Sequence, residues 1–351
     1  MADKVLMKGN EALAEAAIAS GCKHFFGYPI TPQTEVAAYM SKRMPKIGGV
    51  YLQAESEVAA INMVLGAAAA GVRAMTSSSS PGISLKAEGI SYLAGSDLPA
   101  LIVNVQRAGP GLGGIQPSQA DYWQATRSTG HGDFHLLVFA PSTVQEMIDL
   151  VSQAFDLGDK YRMPAMILSD GMLGQMMEPV TLPEKNEGKL PEKPWAVSTK
   201  EKKKRNVLNS LYITPPELEA LVKARYEKYE EIKEKEQRAE EYLVDDADIV
   251  VVAYGASSRI SRSAVDMARK EGIKAGLIRP ITVWPYPDKA VKKAAKHAKS
   301  FLVVEMSMGQ MVDDVKLAVN GEKPVNFFGR TGGIIPTPKE VFDAIKKTGG
   351  I

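Results

Sequence analysis

The sequence contains one cysteine, Cys22, among its 351 residues. A single thiol excludes an internal disulfide, a zinc site made of several thiolates, and an iron–sulfur cluster held by this chain alone. We expect Cys22 to be a buried structural thiol. One cysteine beside 16 methionines is a content typical of proteins in a reducing cytoplasm.

The sequence also lacks a large net charge and long apolar runs. The 43 basic and 41 acidic residues leave a formal net charge of +2, which gives no electrostatic reason to expect nucleic acid or an anionic membrane as a partner. The longest uncharged apolar stretch, residues 58–72, is shorter than the roughly 20 residues that cross a bilayer, and we expect it to form a buried helix. The first ten residues contain no apolar run of the secretory type. These features together predict a cytoplasmic protein.

The composition that is present is typical of a globular protein, with 45% hydrophobic and 24% charged residues. The length predicts two domains. Between residues 1 and 185, short apolar segments alternate with helical patterns, which predicts an α/β domain with a parallel sheet. A second series of the same kind fills residues 247–351 and predicts a second α/β domain with a parallel-type sheet.

Residues 186–246 differ from both flanking regions because they are rich in proline and in charge. We predict a crossover linker that contains an amphipathic charged helix. Its apolar residues recur at steps of three and four, at positions 218, 221, 222, 226, 229 and 232. A surface helix that braces the two domains explains this pattern, and a helix that docks a partner is the alternative.

The glycine-rich segment at residues 109–114 matches the pattern G-x-G-x-x-G of dinucleotide-binding turns. In such sites the pattern opens a helix whose N-terminus meets the pyrophosphate. Here Ile-Gln-Pro follows instead, and no acidic residue ends a strand at the required distance. We therefore expect a flexible glycine loop near a ligand, with a nicotinamide dehydrogenase as an alternative.

Glu57 heads an apolar helix predicted over residues 57–70, in which Gly66 and Gly71 allow close packing. A carboxylate in so apolar a segment needs a hydrogen-bond partner, or else it takes up a proton. A purely structural role is the alternative, because the helix dipole favours a glutamate in the first turn of a helix.

Thr31 belongs to the segment Gly-Tyr-Pro-Ile-Thr-Pro, residues 27–32, directly after a strand predicted over residues 23–28. It offers a hydroxyl and a backbone N–H at the carboxyl end of a strand, where open α/β sheets bind ligands. The structural alternative is a helix start with Thr31 as the N-cap and Pro32 as the first helical residue. Both interpretations can hold together.

Arg107 ends another predicted strand, residues 100–106, and lies at the same sheet edge as Thr31 if the two strands are parallel. A guanidinium group there suits a carboxylate ligand, because it donates two hydrogen bonds in a fixed geometry. A structural salt bridge is the alternative.

Together these motifs resemble those of the thiamine-diphosphate-dependent 2-oxoacid:ferredoxin oxidoreductases, in particular their pyrimidine-side (alpha-type) subunit. The resemblance covers essentially the whole chain and rests on motifs in the family's order at residues 28–32, 53–71, 76–82, 107 and 169–171. At residues 79–82, Ser-Ser-Pro-Gly replaces the Ser-Gly-Pro-Gly that is common in the family. Residues 111–117 and 130–133 are most similar to the branched-chain (3-methyl-2-oxobutanoate, VorB-like) subgroup.

The resemblance implies a pyrimidine-type thiamine-diphosphate-binding fold followed by a transketolase C-terminal-like domain. In this family a glutamate hydrogen-bonds N1′ of the aminopyrimidine and thereby promotes loss of the thiazolium C2 proton, a task that suits an acid in a dry pocket. Related enzymes place this acid nine residues before the first helix glycine and fourteen before the second, which selects Glu57. Glu55 is then a structural or substrate-side neighbour.

The remaining site residues are also carried over from the family. Arg107 and Thr31 match the positions that bind the 2-oxoacid, where Arg107 would hold the substrate carboxylate and Thr31 would hydrogen-bond the substrate or the intermediate. The resemblance assigns Pro29, Ile30 and Thr31, together with Glu57, to cofactor contact.

The sequence has no Gly-Asp-Gly followed by Asn at the spacing that binds magnesium and diphosphate, and we expect no metal ligands on this chain. A diphosphate-side subunit must then complete the thiamine diphosphate and Mg²⁺ site. Gamma-type and ferredoxin-like subunits are expected to complete the complex, with iron–sulfur clusters on partner subunits. The implied reaction, part of anaerobic metabolism, is CoA-dependent oxidative decarboxylation of a branched-chain 2-oxoacid to acyl-CoA and CO₂ with ferredoxin reduction. A 2-oxoglutarate- or pyruvate-specific member and a non-catalytic scaffold subunit are alternatives.

Overall fold

The computed structural model describes residues 4–127, 129–184, 190–197 and 206–350. Its secondary structure alternates between strands and helices through most of the chain. Up to residue 180 the elements are β1 (Val5–Lys8), α1 (Gly9–Ala19), β2 (His24–Gly27), α2 (Thr34–Arg43), a 3-10 helix (Met44–Ile47), β3 (Val50–Gln53), α3 (Glu57–Ala69), β4 (Ala74–Ser78), α4 (Ser80–Gly95), β5 (Leu101–Gln106), α5 (Tyr122–Arg127), β6 (Leu137–Phe139), α6 (Val144–Tyr161), β7 (Ala165–Asp170), α7 (Gly171–Gln175) and β8 (Met177–Val180). Beyond residue 206 they are α8 (Pro215–Lys235), β9 (Ala239–Tyr242), β10 (Ile249–Val252), α9 (Gly255–Lys270), β11 (Ala275–Pro280), β12 (Thr282–Trp284), α10 (Asp288–Ala295), β13 (Ser300–Glu305), α11 (Met311–Val319), β14 (Val325–Gly329) and α12 (Pro338–Thr348).

The larger sheet has seven strands in the order β12-β6-β7-β5-β4-β2-β3. Its pairs are parallel, except that β12 runs antiparallel to β6. Every residue of β4, β5 and β7 is buried, because the sheet is covered on both faces. β5 and β7 begin as apolar runs without alternation for the same reason, whereas β4 ends in Thr-Ser-Ser. The predicted α/β fold with a parallel sheet is confirmed.

The smaller sheet has five strands in the order β14-β13-β10-β11-β9. Four of them are parallel, and β9 pairs antiparallel with β11. Helices α9 and α12 pack together beside this sheet, and α10 packs on α11. The second predicted series of strands and helices therefore forms a parallel-containing sheet of its own.

A partly buried ion-pair network joins the elements around the two sheets. Arg279, in β11, donates to both carboxylate oxygens of Glu146 in α6, each at 2.9 Å, and to Glu240 in β9 at 2.8 Å. Because Arg279 is only 7% exposed, water screens these contacts weakly.

Three strand pairings were not anticipated from the sequence. β1 pairs with β8, β9 joins the smaller sheet from within the predicted linker, and β12 extends the larger sheet from beyond the predicted boundary at residue 247. Each strand has only three or four residues. Segments this short have no periodicity to read, and the partner of β1 or β12 lies more than a hundred residues away in sequence. The division at residues 185 and 247 remains a prediction.

The amphipathic helix predicted in the linker is α8, and residues 201–205 of the charged region lie outside the described residues. Of its predicted apolar stripe, Tyr229 and Ile232 are buried, whereas Leu218 is 40% exposed. Arg225 donates to Asp97 of the segment before β5 at 3.2 Å, and Glu234 pairs with Lys289 of α10 at 2.6 Å. These contacts support the bracing role for the C-terminal half of the helix.

Two smaller predictions have different outcomes. Cys22 is fully buried, as expected, and burial raises the pKa of its thiol to about 12.

The apolar stretch over residues 58–72 forms most of α3, but the prediction that it is buried is wrong for one face. Val58 is 43% exposed and Gly66 lies at the surface, because α3 covers the sheet with only one side.

Candidate active site

The predicted site residues lie at the carboxyl edge of the larger sheet. The larger sheet contains β5, β4, β2 and β3 as consecutive, mutually parallel strands, so the segments that follow them emerge at one edge. Thr31 follows β2, Glu57 follows β3, and Arg107 follows β5. This edge is where open α/β sheets bind ligands.

Arg107 and Thr31 are in contact. The Nη1 atom of Arg107 donates to the carbonyl oxygen of Thr31 at 3.0 Å, and Nη2 donates to the carbonyl oxygen of Leu112 at 3.1 Å. Its Nε atom is buried without a partner, and Arg107 forms no ion pair with any carboxylate among the described residues. The alternative of a structural salt bridge is therefore wrong. The guanidinium charge beside the exposed Thr31 is left available for an anion.

The backbone of Arg107 is fixed by the start of α4. The Ser80 hydroxyl accepts from the Arg107 N–H at 3.0 Å and donates to a carboxylate oxygen of Asp121 at 2.6 Å. Asn104 donates to the same oxygen at 2.9 Å. Burial raises the pKa of Asp121, against these hydrogen bonds. The network holds the strand end that carries the guanidinium group.

The turn before α2 does not have the geometry of the structural alternative, in which Thr31 is the N-cap of the helix. Helix α2 begins at Thr34 with Gln33 as its N-cap, so Thr31 does not cap it. Gln33 is fully buried; its Oε1 accepts from Ser77 of β4 at 2.5 Å, and its Nε2 donates to the Tyr28 carbonyl at 3.2 Å. Gln33 thus anchors the turn to the sheet. Sequence reasoning missed it, although a polar residue directly after Thr-Pro was visible.

The other two cofactor residues predicted in that turn also lie near the surface. Pro29 is exposed and Ile30 is half-buried. The Ile30 carbonyl accepts from the Gln33 N–H at 3.2 Å, which closes the turn. Both residues therefore lie beside Thr31 in the turn that follows β2.

Glu57 is the first residue of α3, as predicted. Ser56 is the N-cap, and its hydroxyl accepts from the Ala59 N–H at 3.1 Å, so Glu57 does not serve as the cap. Glu57 is only 6% exposed. In the part of the chain that the structure describes, no hydrogen bond or ion pair joins its carboxylate to another group. Its place in the first turn suits the helix dipole, but burial without a partner goes beyond that structural role.

Helix α4 approaches Glu57 closely at Gly82. A Cβ atom at this position would lie 2.8 Å from Oε1 of Glu57 and 2.1 Å from Oγ of Ser78. Only glycine fits there without displacing one of them. The first two turns of α4 therefore connect the two parts of the site, since Ser80 holds Arg107 and Gly82 borders Glu57.

Three further buried polar atoms near this turn have no hydrogen-bond partner within the described residues. They are Oγ of Ser78, Oγ of Ser79 and Nζ of Lys86. Lys86 is fully buried, and burial lowers the pKa of its ammonium to about 8 while the Glu57 carboxylate acts in the opposite direction. Sequence reasoning missed Lys86. The signal was its position three residues after Ile83 and four before Ile90, on the buried stripe of α4.

The glycine loop that follows Arg107 does not open a helix. The Gly114 N–H donates back to the Ala108 carbonyl at 2.9 Å, and a Cβ atom at Gly113 would lie 1.9 Å from that oxygen. The next helix, α5, begins only at Tyr122. The geometry agrees with the expectation of a glycine loop, and Leu112 at its tip is 85% exposed.

Gln119, after this loop, is held by the second half of the chain. Its side chain is fully buried, with Nε2 donating to the Tyr254 carbonyl at 2.8 Å and Oε1 accepting from the Met306 N–H at 3.0 Å. Ser257 also hydrogen-bonds its amide. The second sheet therefore fixes the far end of the loop that Arg107 begins.

The two histidines that precede β6, His131 and His135, contact other parts of the chain. His135 stacks on Trp284 with ring centroids 4.6 Å apart, and it lines a cleft of about 590 Å³ beside α8 that none of the predicted site residues borders. His131 has Nδ1 3.4 Å from Oγ of Ser91.

The described residues contain neither a cluster of metal ligands nor a membrane-spanning helix. No group of three or more His, Cys, Asp or Glu side chains there could hold a metal ion. Among the same residues, no helix combines the length and apolar character needed to cross a membrane.

Two sequence models of protein families match this chain. The one described as pyruvate flavodoxin/ferredoxin oxidoreductase, thiamine diP-bdg, matches residues 15–248. The one described as pyruvate:ferredoxin oxidoreductase core domain II matches residues 247–341.

Curated relatives match along nearly the whole length. The ketoisovalerate oxidoreductase subunit VorB of Methanothermobacter thermautotrophicus is 50% identical over 345 residues, which are 98% of each chain. The 2-oxoglutarate synthase subunit KorA of Methanothermobacter marburgensis is 38% identical over 374 residues, covering 98% of this chain and 99% of that one.

Solved structures match the whole architecture. The 2-oxoglutarate:ferredoxin oxidoreductase from Magnetococcus marinus, with 2-oxoglutarate, coenzyme A and succinyl-CoA bound, aligns over 99% of this chain with a TM-score of 0.88 and 27% identity. The present chain spans 65% of the length of that chain. A split-gene transketolase, an inactive β4 tetramer, aligns over 97% of this chain with a TM-score of 0.58 and 14% identity, which shows a shared fold.

Proposed function

The chain belongs to the 2-oxoacid:ferredoxin oxidoreductase family, and from that premise we propose that it is the pyrimidine-side subunit of an enzyme for branched-chain 2-oxoacids. The reaction is oxidative decarboxylation of 3-methyl-2-oxobutanoate with CoA, giving the acyl-CoA and CO₂ while the released electrons reduce ferredoxin. The observation that carries the catalytic role is Glu57, a buried carboxylate without a partner at the carboxyl edge of the sheet.

The choice of substrate rests on similarity. Identity to the ketoisovalerate oxidoreductase subunit is 50%, against 38% for the 2-oxoglutarate synthase subunit, at equal coverage of this chain. Specificity for 2-oxoglutarate or pyruvate, and a scaffold subunit without catalytic residues, are the competing functions that the assay below separates.

The residues present fit the pyrimidine half of thiamine diphosphate. Glu57 offers a buried acceptor, and the unpartnered hydroxyl of Ser78 lies close to it beside Gly82, where only a glycine fits. We assign Glu57, with Pro29, Ile30 and Thr31 of the adjacent turn, to the aminopyrimidine. When bound, the cofactor supplies the carbon nucleophile and the electron sink for decarboxylation. Glu57 would hydrogen-bond N1′ and share a proton with it, and the low exposure of Glu57 keeps water away from that contact.

Arg107 and Thr31 are assigned to the 2-oxoacid. The guanidinium group has no acidic partner and lies against the Thr31 backbone, so a substrate carboxylate would complete its hydrogen bonds. Fixing the carboxylate orients the adjacent oxo carbon for attack. The Thr31 hydroxyl is then the nearby donor to the substrate oxygen.

The proposed partners follow from what the site lacks and exposes. The diphosphate, its Mg²⁺ and the iron–sulfur clusters are assigned to partner subunits, since this chain has the pyrimidine half and one cysteine. Val58 of α3, which follows Glu57 in sequence, and Leu85 of α4 are 43% and 54% exposed. An apolar surface of this kind suits the diphosphate-side subunit, which would close the site. The low cysteine content supports a cytoplasmic location for the complex.

The test is 2-oxoacid-dependent reduction of a low-potential viologen by the complex co-expressed with its partner subunits. Wild type and Glu57→Gln are compared with 3-methyl-2-oxobutanoate, 2-oxoglutarate and pyruvate, each with CoA. Glu88→Gln is the matched control, because Glu88 is an exposed carboxylate on α4. We expect Glu57→Gln to lose at least about a hundredfold in kcat, the scale of a lost acid–base contribution, and Glu88→Gln to match wild type.

Arg107→Met provides the second arm. It should raise the KM for the 2-oxoacid while leaving thiamine diphosphate affinity unchanged, because the guanidinium group is assigned to the substrate alone. An assembled, cofactor-loaded complex in which Glu57→Gln is as active as wild type would show that the subunit is a scaffold or that the acid lies elsewhere. A preference for another 2-oxoacid would correct the substrate and leave the site intact.

A further inference from the structure

Lys86 is a fully buried lysine to which the proposed function gives no role. It lies one helical turn after Gly82 on the inner face of α4, and its Nζ atom has no hydrogen-bond partner within the described residues. An unpaired ammonium group without access to water opposes folding. Buried titratable groups of this kind are typical of functional sites.

The charge that faces Lys86 is Glu57. It acts on Lys86 across the contact between α3 and α4, and the two groups do not form an ion pair. Glu57 is the sole charged residue of α3. Strand β4 has no charged residue, and its last three residues carry hydroxyl groups. The other charged residue of α4, Glu88, is exposed and accepts from Tyr92 instead. Gly82, one helical turn before Lys86, lies against Glu57, since a Cβ atom at Gly82 would be 2.8 Å from Oε1 of Glu57. Within the described residues, Glu57 is therefore the charged group that acts on Lys86.

We infer that Lys86 is a positioning residue that keeps the Glu57 carboxylate ionised when the partner subunit and the cofactor exclude water from the site. The inference rests on the proposed function, since it concerns the acid assigned to the aminopyrimidine. Removing water favours the neutral form of a carboxyl group, and a nearby positive charge favours the ionised form. An ionised Glu57 accepts a hydrogen bond from the N–H of a pyrimidine that is protonated at N1′, whereas a protonated Glu57 does not accept one there.

The test uses cofactor binding rather than turnover. Thiamine diphosphate affinity is titrated on the co-expressed complex between about pH 6 and about pH 9, for wild type, Lys86→Met and Lys223→Met. Lys223 is 70% exposed on α8, so its variant removes the same charge far from the site. We expect Lys86→Met to bind the cofactor about tenfold more weakly than wild type at about pH 6. Above about pH 8 the two should converge, because the wild-type ammonium then loses its own proton.

A double variant tests whether Lys86 affects cofactor binding through Glu57. Lys86→Met added to Glu57→Gln should change nothing further if Lys86 acts through Glu57. Lys86→Gln provides a second neutral side chain should the Met variant assemble poorly, and the same pH pattern is expected of it.

The outcomes separate this inference from the proposed function. If Glu57→Gln weakens cofactor binding but Lys86→Met equals wild type at every pH, the inference is wrong and the proposed function stands. A loss that is equal at all pH values, or that adds to the loss of Glu57→Gln, would show that Lys86 acts by packing. Wild-type activity and affinity in Glu57→Gln would instead overturn the proposed site.

Discussion

Replacing Lys86 by methionine should make the isolated full chain more stable at neutral pH. Methionine has a similar length and no charge, so it fills the same space in α4 without burying an ammonium group. Lys86 is fully buried and its Nζ atom has no partner within the described residues. The substitution therefore removes a desolvation cost and no hydrogen bond.

The size of the gain follows from the pKa of the ammonium. Burial lowers it from 10.5 to about 8, and the attraction of Glu57 is already included in that value. At 1.36 kcal/mol for each pKa unit, the charged side chain costs the folded protein about 3 kcal/mol. Strain from fitting the methionine would reduce the gain by about 1 kcal/mol.

The stability advantage of Lys86→Met should depend on pH. Below about pH 8, Lys86 is charged in both the folded and the unfolded chain, and the cost is fully present. Between about pH 8 and 10.5 the unfolded chain keeps a proton that the folded chain has released, so stability rises with pH. The advantage of Lys86→Met should therefore shrink across this interval and vanish above it.

The assay is urea unfolding of wild type and variant from about pH 7 to about pH 10.5, with the difference in unfolding free energy taken at each pH. Other titrating groups, including buried tyrosines, cancel in that difference. Lys193→Met is the matched control, because Lys193 is 7% exposed but pairs with Asp159 at 2.6 Å, and its loss should destabilise the chain. A Lys86→Met variant that is less stable at pH 7, or whose gain does not depend on pH, would refute the reasoning.

Three further predictions concern the packing around the site. Gly82→Ala should cost about 1–3 kcal/mol and weaken cofactor binding, because its Cβ would lie 2.1 Å from Oγ of Ser78; urea unfolding and cofactor titration measure the two effects. Glu305→Gln should lower the unfolding free energy by about 1–3 kcal/mol, since the buried carboxylate accepts from three backbone N–H groups at the start of α11, and an amide NH₂ turned toward them would repel. Gln119→Ala should cost about 2–4 kcal/mol and separate the unfolding of the two halves in calorimetry, because the Tyr254 carbonyl loses its partner.

The parallel sheets could be predicted because their signals are local. Strands β5 and β7 begin as apolar runs between helical patterns, whereas β4 ends in Thr-Ser-Ser, and each was anticipated within one or two residues of its bounds. The meeting of Thr31 and Arg107 followed from the same logic, since parallel strands end at a common edge.

The parts that could not be predicted depend on contacts distant in sequence. β12 has three residues and joins a sheet whose other strands end by residue 170, so nothing local identifies its partner. Gln33 and Gln119 matter through side-chain bonds to other elements, which composition does not show. For Glu57 the sequence indicated the position, but only the packing of α4 revealed that the carboxylate has no partner.

The pairing of β12 with β6 has a consequence for folding during synthesis. The outer side of β6 can be paired only after the ribosome has added residues 282–284, roughly 100 residues after β7, which at 5–20 residues per second is a delay of roughly 5–20 s. During that time the nascent larger sheet exposes an open strand edge to other chains. Ribosome-bound chains that stop before β12 should therefore bind chaperones longer than those that include it.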